Sequence, residues 1–236
     1  MTEPALFQVV ERVASTQDVV HAWGEEGRPH GAALLALEQE AGRGSRGREW
    51  ASPRGGLWMS VLCRPAEPEA AEVMSVRVGL ELARLLEALP GLPPVRLKWP
   101  NDLMLADRKL GGILCEARWR GDQLAWVAVG IGINVTNDVP VEVRGRACRL
   151  ADHTRPPSPD SLGRRIVAAL LPLQRAGATL SDAELHAFER RDWLRGRRLI
   201  APEPGLAAGV SAGGALRIRA DDGTVLEARA GSVALA

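Results

Sequence analysis

The feature that most constrains the fold is a pair of apolar, strand-like segments joined by a short polar turn in the middle of the chain. The segments run from Gly111 to Ala117 and from Ala125 to Val135, and the turn between them is Arg118-Trp-Arg-Gly-Asp-Gln. Strands joined this closely pair antiparallel, because a parallel pair needs a crossover of about a dozen residues or more. We therefore expect a mainly antiparallel sheet.

Strand and helix patterns alternate irregularly on both sides of this hairpin. Short apolar runs predict strands at 7–13, 31–37, 57–62 and 95–99. Apolar residues at helical spacing predict helices at 71–89 and 162–173, while Ser181 and Glu184 have the spacing of a capping box that opens another helix. The pattern indicates a mixed α/β protein of the α+β class, with helices flanking the sheet.

The C-terminal part of the chain has a different character. From residue 199 onward, short hydrophobic runs are interrupted by glycine and proline, and Asp222-Gly223 separates two of the runs as a hairpin turn would. This indicates a small all-β module. We expect two domains, at residues 1–192 and 193–236.

Composition excludes several classes of protein. The chain has 236 residues, of which 46% are hydrophobic, and it contains neither a long apolar run nor the features of a signal peptide, so we expect a cytoplasmic protein without a membrane segment. A net charge of +1 argues against a nucleic-acid binder. Three cysteines without a CxxC motif suggest neither a disulfide framework nor a zinc site.

Lysine is confined to one short stretch. Lys98 and Lys109 are the only lysines, against 28 arginines. Lysine is a compact point charge on a flexible stem, whereas arginine is a planar fork, so a site that keeps lysine needs that geometry. The alternative is a general preference for arginine from which these two residues are exceptions.

A loop rich in glycine and arginine, residues 42–50, is a candidate anion site. Glycine lets backbone N–H groups approach an anion while guanidinium groups bind its oxygens. Neither a Walker P-loop nor a Rossmann fingerprint is present in the sequence. An exposed basic turn is the alternative.

Three further segments are candidates for the same site. Asp102 follows a strand and could hold Mg²⁺ together with substrate phosphates, or could form an Asx turn. The run from Gly130 to Asn134 alternates small and branched residues, as if a ligand or another backbone lay against it. Ser15 and Thr16 place hydroxyls at an expected helix N-terminus. Together these segments suggest a ligase that forms a mixed anhydride.

In this order, the segments resemble those of biotin protein ligases. The resemblance covers essentially the whole chain, and its most specific parts are the 42–50 loop, the run Lys98-Trp-Pro-Asn-Asp and the run from Arg108 to Glu116. It implies a catalytic domain similar to class II aminoacyl-tRNA synthetases, followed by an SH3-like barrel.

The resemblance also implies roles for individual residues. The expected biotin-binding residues are Ser15, Thr16, Gln17, Gln39, Gly42, Arg43, Gly44, Ser45, Lys109, Gly112, Gly130 and Gly132. The expected ATP- or AMP-binding residues are Arg46, Arg48, Trp50, Lys98, Asn101, Ile133 and Asn134. Lys109, Arg43 and Asp102 would be the catalytic residues, and Asp102 would help to hold Mg²⁺. The glycines would line the pocket where a side chain would collide with the ligand.

The activity implied is a two-step ligation. Biotin would be activated with Mg-ATP to biotinyl-5'-AMP and then attached to a lysine of the biotin carboxyl carrier protein of acetyl-CoA carboxylase or a related carboxylase, with no tightly bound organic cofactor. Exposed edge strands of an open sheet could also pair two chains into a homodimer.

Two departures and two alternatives qualify the resemblance. Many relatives carry arginine where this chain has Ser45, which puts tight retention of the adenylate in doubt, and some carry an N-terminal winged helix for which we expect no room here. We therefore expect no DNA-binding repressor function. The alternatives are a lipoate ligase, which has a related fold and the same adenylate chemistry, and a non-catalytic module that binds RNA or protein.

Overall fold

A computed structural model describes residues 7–236 of the chain. Within this range, twelve strands form two sheets. The strands are β1 (Phe7–Val13), β2 (Ala33–Gln39), β3 (Leu57–Cys63), β4 (Arg96–Lys98), β5 (Asp102–Leu105), β6 (Arg108–Arg120), β7 (Gln123–Ile133), β8 (Arg198–Ala201), β9 (Gly205–Val210), β10 (Leu216–Arg219), β11 (Val225–Ala228) and β12 (Ala234–Leu235). The helices are α1 (Thr16–Glu25), α2 (Ala70–Glu87), α3 (Pro159–Leu170) and α4 (Asp182–Glu189).

The larger sheet has seven strands in the order β1-β2-β3-β7-β6-β5-β4. Only β1 and β2 pair in parallel, across a connection that contains α1, and the other neighbours are antiparallel. The β6–β7 hairpin lies at the centre of this sheet with ten paired positions, from Gly111↔Ile133 to Arg120↔Gln123. The predicted mixed α+β class and the central antiparallel hairpin are thus confirmed.

The two faces of this sheet carry different layers. Val20 and Trp23 of α1 pack with Leu34, Leu62 and Ala128 on one face. On the other face, Val129, Ile131 and Ile133 of β7 belong to a hydrophobic cluster that also contains residues of α2, α3 and α4. The helix α1 covers only part of its face, and the part beyond its N-terminus is where the site lies.

The smaller sheet has five antiparallel strands in the order β11-β10-β9-β8-β12. The predicted turn at Asp222-Gly223 joins β10 to β11. Buried side chains of this sheet, including Leu199, Leu216 and Ile218, belong to the same hydrophobic cluster as α2 and β4. The core is therefore continuous from one sheet to the other.

Some element bounds differ from the sequence prediction. The predicted strand at 31–37 begins two residues later and extends to Gln39. Helix α3 ends at Leu170, and Leu171–Arg175 form a 3₁₀ turn with Pro172 in its first turn, because proline cannot continue an α-helix. Strand β5 was not predicted. Among residues 7–236, no helix combines the length and the apolar character needed to cross a bilayer.

Candidate functional site

A cavity of about 630 Å³ opens on the face of the larger sheet that α1 leaves uncovered. Its floor is formed by Gly112 of β6 with Gly130 and Gly132 of β7. Register explains this floor, since Gly112 pairs directly with Gly132, and Leu114 with Gly130. The alternation noted in the sequence therefore places small residues towards the cavity and branched residues towards the core.

Two of the floor positions need glycine because neighbouring side chains already lie against them. A Cβ at Gly132 would lie 2.7 Å from Nε1 of Trp50, and one at Gly130 would lie 3.0 Å from the amide carbon of Gln17. At Gly112 a Cβ would come no closer than 3.5 Å, which is ordinary contact. At Gly132 the indole of Trp50 already fills the space that a side chain would need.

The N-terminus of α1 forms one polar wall of the cavity. The amide oxygen of Gln39 accepts from the backbone N–H of Thr16 at 2.8 Å and from its hydroxyl at 3.0 Å. The same hydroxyl lies 2.8 Å from Oγ of Ser60, and Nε2 of Gln39 donates to Ser52 at 2.9 Å. Ser15 is the N-cap residue, but its side chain makes no capping hydrogen bond, contrary to the role that its position suggested.

Three residues that line the cavity each carry a buried polar atom with no hydrogen-bond partner among the described residues: Ser15 Oγ, Gln17 Oε1 and Trp50 Nε1. Nε2 of Gln17 points away from the cavity, since it donates to Glu116 and to two backbone carbonyls. The orientation of this amide leaves Oε1 as an acceptor for a ligand. Buried polar groups without partners are costly, so the wall is built for a ligand that carries both donors and acceptors.

A lysine–aspartate pair lies at another part of the cavity. Nζ of Lys109 is 2.5 Å from Oδ1 of Asp102 and 5.0 Å from the ring centre of Trp50. The two residues come together because β5 and β6 are antiparallel neighbours, so the six residues between them form a tight hairpin. The sequence assigned both residues to one site, and the structure shows that they lie on two adjacent strands.

Lys98 lies near this pair, with Nζ 5.2 Å from the ring centre of Trp193. Burial lowers the pKa of Lys98 from its ordinary value, Asp102 opposes this, and the nearby cation Lys109 adds to it. Both lysines of the chain therefore contribute positive charge to one cavity. This arrangement favours a polyanionic ligand.

The arginines of the 42–50 loop are held in different ways. Nη2 of Arg43 contacts Asp18 at 2.9 Å and Glu116 at 3.2 Å, and Arg48 donates to Oγ and the carbonyl of Ser45. Arg46 turns away from the cavity and donates to Ser232 near the end of the smaller sheet. The loop is thus tied both to the larger sheet and to the C-terminal module.

Most of the predicted site residues line the cavity. They are Ser15, Thr16, Gln17, Gln39, Arg43, Gly44, Ser45, Arg48, Trp50, Lys98, Asn101, Asp102, Lys109, Gly112, Gly130, Gly132 and Asn134. Three predicted residues do not line it. Gly42 is enclosed by the backbone oxygen of Trp50 and by Ser52, Arg46 is directed to Ser232, and Ile133 points into the core on the opposite face.

Several lining or supporting residues were not predicted. The loop at 139–147 and Trp193 line the cavity, and Ser52, Ser60 and Glu116 support lining residues from behind. The alternation along β3 and β6 could have placed Ser60 and Glu116 on the cavity face, because they pair with Gly130 and Ala128 of β7. No local signal identified Trp193, which reaches the site from the start of the C-terminal module.

Residues 9–134 match the model of the Biotin/lipoate A/B protein ligase family. Since this match spans more than half of the chain, the protein belongs to that family. The cavity described above lies largely within the matched segment.

Individual relatives show what the chain is similar to. The bifunctional ligase/repressor BirA of Escherichia coli is 46% identical over 107 residues, which are 44% of this chain and 33% of that protein. The biotin–[acetyl-CoA-carboxylase] ligase of Mycobacterium tuberculosis is 35% identical over 152 residues, 62% of this chain and 55% of that protein. The matches thus span from a third to just over half of these two relatives.

Solved structures match over nearly the full chain. The biotin protein ligase of Aquifex aeolicus in complex with biotin and ATP superposes with a TM-score of 0.75 at 27% identity, covering 98% of this chain and 99% of that one. The biotin protein ligase of Leishmania major in complex with biotinyl-5-AMP has a TM-score of 0.65 at 27% identity, covering 95% of this chain and 99% of that one.

Proposed function

We propose that the chain is a biotin protein ligase. It activates biotin with Mg-ATP to biotinyl-5'-AMP and pyrophosphate, and it then transfers biotin to a specific lysine of the biotin carboxyl carrier protein of a biotin-dependent carboxylase. The observation that carries the proposal is the set of three buried polar atoms without partners on the cavity wall, in the same cavity as the Lys109–Asp102 pair. Similarity to the Aquifex and Leishmania ligases supports it.

The buried polar atoms without hydrogen-bond partners favour biotin over lipoate as the ligand. The ureido group of biotin offers two N–H donors and a carbonyl acceptor, and its donors suit Gln17 Oε1 and Ser15 Oγ. The dithiolane ring of lipoate has no N–H group and would leave Gln17 Oε1 buried and unsatisfied. A site built for a hydrogen-bonding ligand discriminates strongly against an analogue that lacks the donor.

The first step is an in-line displacement. A carboxylate oxygen of biotin attacks the α-phosphorus of ATP, the new P–O bond forms, and the bond to pyrophosphate breaks. Lys109 and Arg43 supply positive charge beside the reacting oxygens, so their contribution is charge neutralisation and positioning. In the second step the neutral amine of the carrier lysine attacks the acyl carbon, the C–N bond forms, and AMP departs as the amine loses a proton.

The residues present fit a magnesium ion bound mainly through substrate. Magnesium usually takes one or two protein carboxylates together with phosphate oxygens and water. Asp102 provides one half-buried carboxylate, and no cluster of three or more metal-ligating side chains occurs within residues 7–236. Asp102 would hold the ion, which would neutralise phosphate charge.

The presence of two sheets supports the expected division of the chain into two domains. We propose that residues 1–192 form a catalytic domain of the class II aminoacyl-tRNA synthetase type and that residues 193–236 form an SH3-like barrel. Strand β1 is the edge of the larger sheet that could pair two chains into a homodimer, because Arg191 and Trp193 already pair with Leu97 of β4 at the other edge. No repressor function is proposed.

ATP–pyrophosphate exchange with Mg²⁺ and biotin tests the proposal, with lipoate and no-acid controls, on the wild type and on Lys109→Ala. We expect biotin-dependent exchange that the substitution lowers by about 100-fold or more, as for the loss of one group that stabilises developing negative charge. Exchange with lipoate alone would indicate that the protein is a lipoate ligase. No exchange with either acid would favour the binding-module alternative.

A further inference from the structure

One carboxylate behind the cavity contacts residues on two parts of its wall. Oε2 of Glu116 accepts from Nε2 of Gln17 at 3.0 Å and from Nη2 of Arg43 at 3.2 Å. Glu116 itself does not line the cavity. It lies on β6, two positions beyond Leu114, on the same face as the glycine floor. Its position lets it act on a ligand only through Gln17 and Arg43.

The third partner of this oxygen is His21, whose Nε2 lies 3.1 Å away. The indole N–H of Trp126 is 3.1 Å from Nδ1 of His21, and an indole nitrogen can only donate. Nδ1 is therefore an acceptor, and the ring proton lies on Nε2, which donates to Glu116. The hydrogen bond from His21 and, to a smaller extent, the positive charge of Arg43 hold the pKa of Glu116 below its ordinary value. Partial burial opposes this shift.

The contact with Arg43 uses a single nitrogen of its guanidinium group. Nη2 meets both Glu116 and Asp18, whereas Nε and Nη1 have no hydrogen-bond partner within residues 7–236. The N–H groups of Nε and Nη1 are therefore free to donate to a substrate oxyanion. An ionised Glu116 therefore holds Arg43 at the cavity through Nη2 and leaves the N–H groups of Nε and Nη1 for a substrate carboxylate.

We propose that Glu116 is a positioning residue that holds Arg43 at the cavity for the carboxylate of biotin and fixes the amide of Gln17 as an acceptor for the ureido ring. The proposal rests on the proposed function. The two actions need different properties of the side chain. Holding Arg43 needs the negative charge, while orienting Gln17 and His21 needs only an acceptor oxygen. Glu116→Gln removes the first property and retains the second, whereas Glu116→Ala removes both.

The test measures binding of biotin and of biotinamide, which keeps the ureido ring but lacks the charged carboxylate, by titration calorimetry. For Glu116→Gln we expect the Kd of biotin to rise about tenfold, as for loss of one charge-assisted hydrogen bond, with the Kd of biotinamide within about twofold of wild type. For Glu116→Ala both Kd values should rise. Glu11→Gln, which removes a carboxylate from an exposed pair with Arg54, is the matched control and should change neither.

A second measurement requires no ligand. Trypsin cleaves after arginine, so limited proteolysis with mass spectrometry reports how firmly the 42–50 loop is held. We expect cleavage after Arg43 to be several-fold faster in Glu116→Gln than in wild type or Glu11→Gln. Unchanged cleavage, tighter binding of biotin, or an equal change for biotin and biotinamide would each overturn the proposal. A wild type that binds neither compound would instead overturn the proposed function.

Discussion

Lys109 and Arg43 contribute positive charge to the same cavity but are held differently. Lys109 lies between the carboxylate of Asp102 and the face of Trp50, where a single ammonium fits. Arg43 lies at the rim, where its planar group meets two acids. The choice of lysine at one position and arginine at the other thus follows from the space available and from the number of partners.

We predict that Lys109→Arg fails to restore function. The guanidinium group is broader than an ammonium and cannot occupy the 2.5 Å contact with Asp102 while keeping its distance from Trp50. We expect ATP–pyrophosphate exchange to fall about 100-fold, close to the level of Lys109→Ala. Near-normal exchange in the arginine variant, at unchanged thermal stability, would contradict the argument that a point charge is required.

The glycines of the floor make a matched pair for a second prediction. Gly132→Ala would place its Cβ 2.7 Å from Trp50, whereas Gly112→Ala would meet nothing closer than 3.5 Å. We expect the first variant to lose about 1–3 kcal/mol of unfolding free energy through overpacking, and the second to lose less than about 1 kcal/mol. Urea denaturation of both variants measures the difference. Equal losses would show that Trp50 moves aside without cost.

Among the elements, α4 begins with the predicted capping box. Oγ of Ser181 accepts from the backbone N–H of Glu184, and the Glu184 carboxylate accepts from the backbone N–H of Ser181 at 2.8 Å. Helix α3 has a simpler cap, in which Ser158 accepts from the N–H of Ser161 at 3.3 Å. Helices α3 and α4 therefore allow the two kinds of cap to be compared within one protein.

We predict that Ser181→Ala lowers the unfolding free energy by about 1–2 kcal/mol and that Ser158→Ala lowers it by less. The larger effect is expected because Ser181 also fixes Glu184, which pairs with the buried guanidinium of Arg77 at 2.7 Å. Thermal and chemical denaturation measure both losses. A larger loss for Ser158→Ala would show that the reciprocal cap contributes little.

Long periodic elements were predictable from the sequence, and short ones were not. Helix α2 and the β6–β7 hairpin are long enough for the spacing of their apolar residues to identify them as a helix and as strands. Strand β5 has only four residues directly after the turn at Pro100, too few for a period to be visible. Its residue Asp102 was recognised by motif, but its place on a strand was not.

The same limit applies to the candidate site. Motifs grouped most of its lining residues correctly, because each motif occupies one strand end or loop. The partners of those residues depend on contacts between distant positions, such as Arg43 with Glu116 or Lys98 with Trp193. Such contacts follow from strand register and from packing of the C-terminal module, which local patterns do not encode.

For the molecule as a whole, the continuous core joins the two sheets. The indole N–H of Trp99 donates to the carbonyl of Gly214 at 2.9 Å, and Leu216 is fully buried in the shared cluster. The chain also pairs with β4 as it leaves α4, through Leu97 with Arg191 and Trp193. The smaller sheet therefore stabilises the larger one directly.

We predict that Leu216→Ala lowers the stability of both sheets together. Truncating a fully buried leucine costs about 2–5 kcal/mol, and a shared core should spread this loss over the whole chain. Hydrogen exchange should rise in β6 and β7 as well as in β9 and β10. Faster exchange confined to the smaller sheet would mean that the two sheets unfold separately.

A buried carboxylate at the junction gives a pH-dependent prediction. Burial raises the pKa of Asp192 above its ordinary value, although its hydrogen bond from the N–H of Leu194 opposes the shift. Its contribution to stability is therefore fully present below the unfolded pKa of about 3.9 and is lost as the pH rises through the folded pKa. Asp192→Asn keeps the acceptor oxygen for Leu194 but does not titrate.

The unfolding free energy of the wild type should accordingly fall relative to that of Asp192→Asn as the pH rises above about 4. Urea denaturation of both proteins at several pH values from acid to neutral measures the difference. A difference that is constant over this range, or that grows in favour of the wild type, would show that the folded protein does not raise the pKa of Asp192.

The confinement of both lysines to the cavity determines how the protein responds to amine chemistry. No lysine side chain lies on the outer surface, since Lys98 and Lys109 both line the cavity. An acylating reagent that is selective for lysine therefore acts on this protein as an affinity label for the site, and a ligand that fills the cavity should protect both positions. For the same reason, attachment of the protein to a solid support through its lysine amines would block the site it is meant to display.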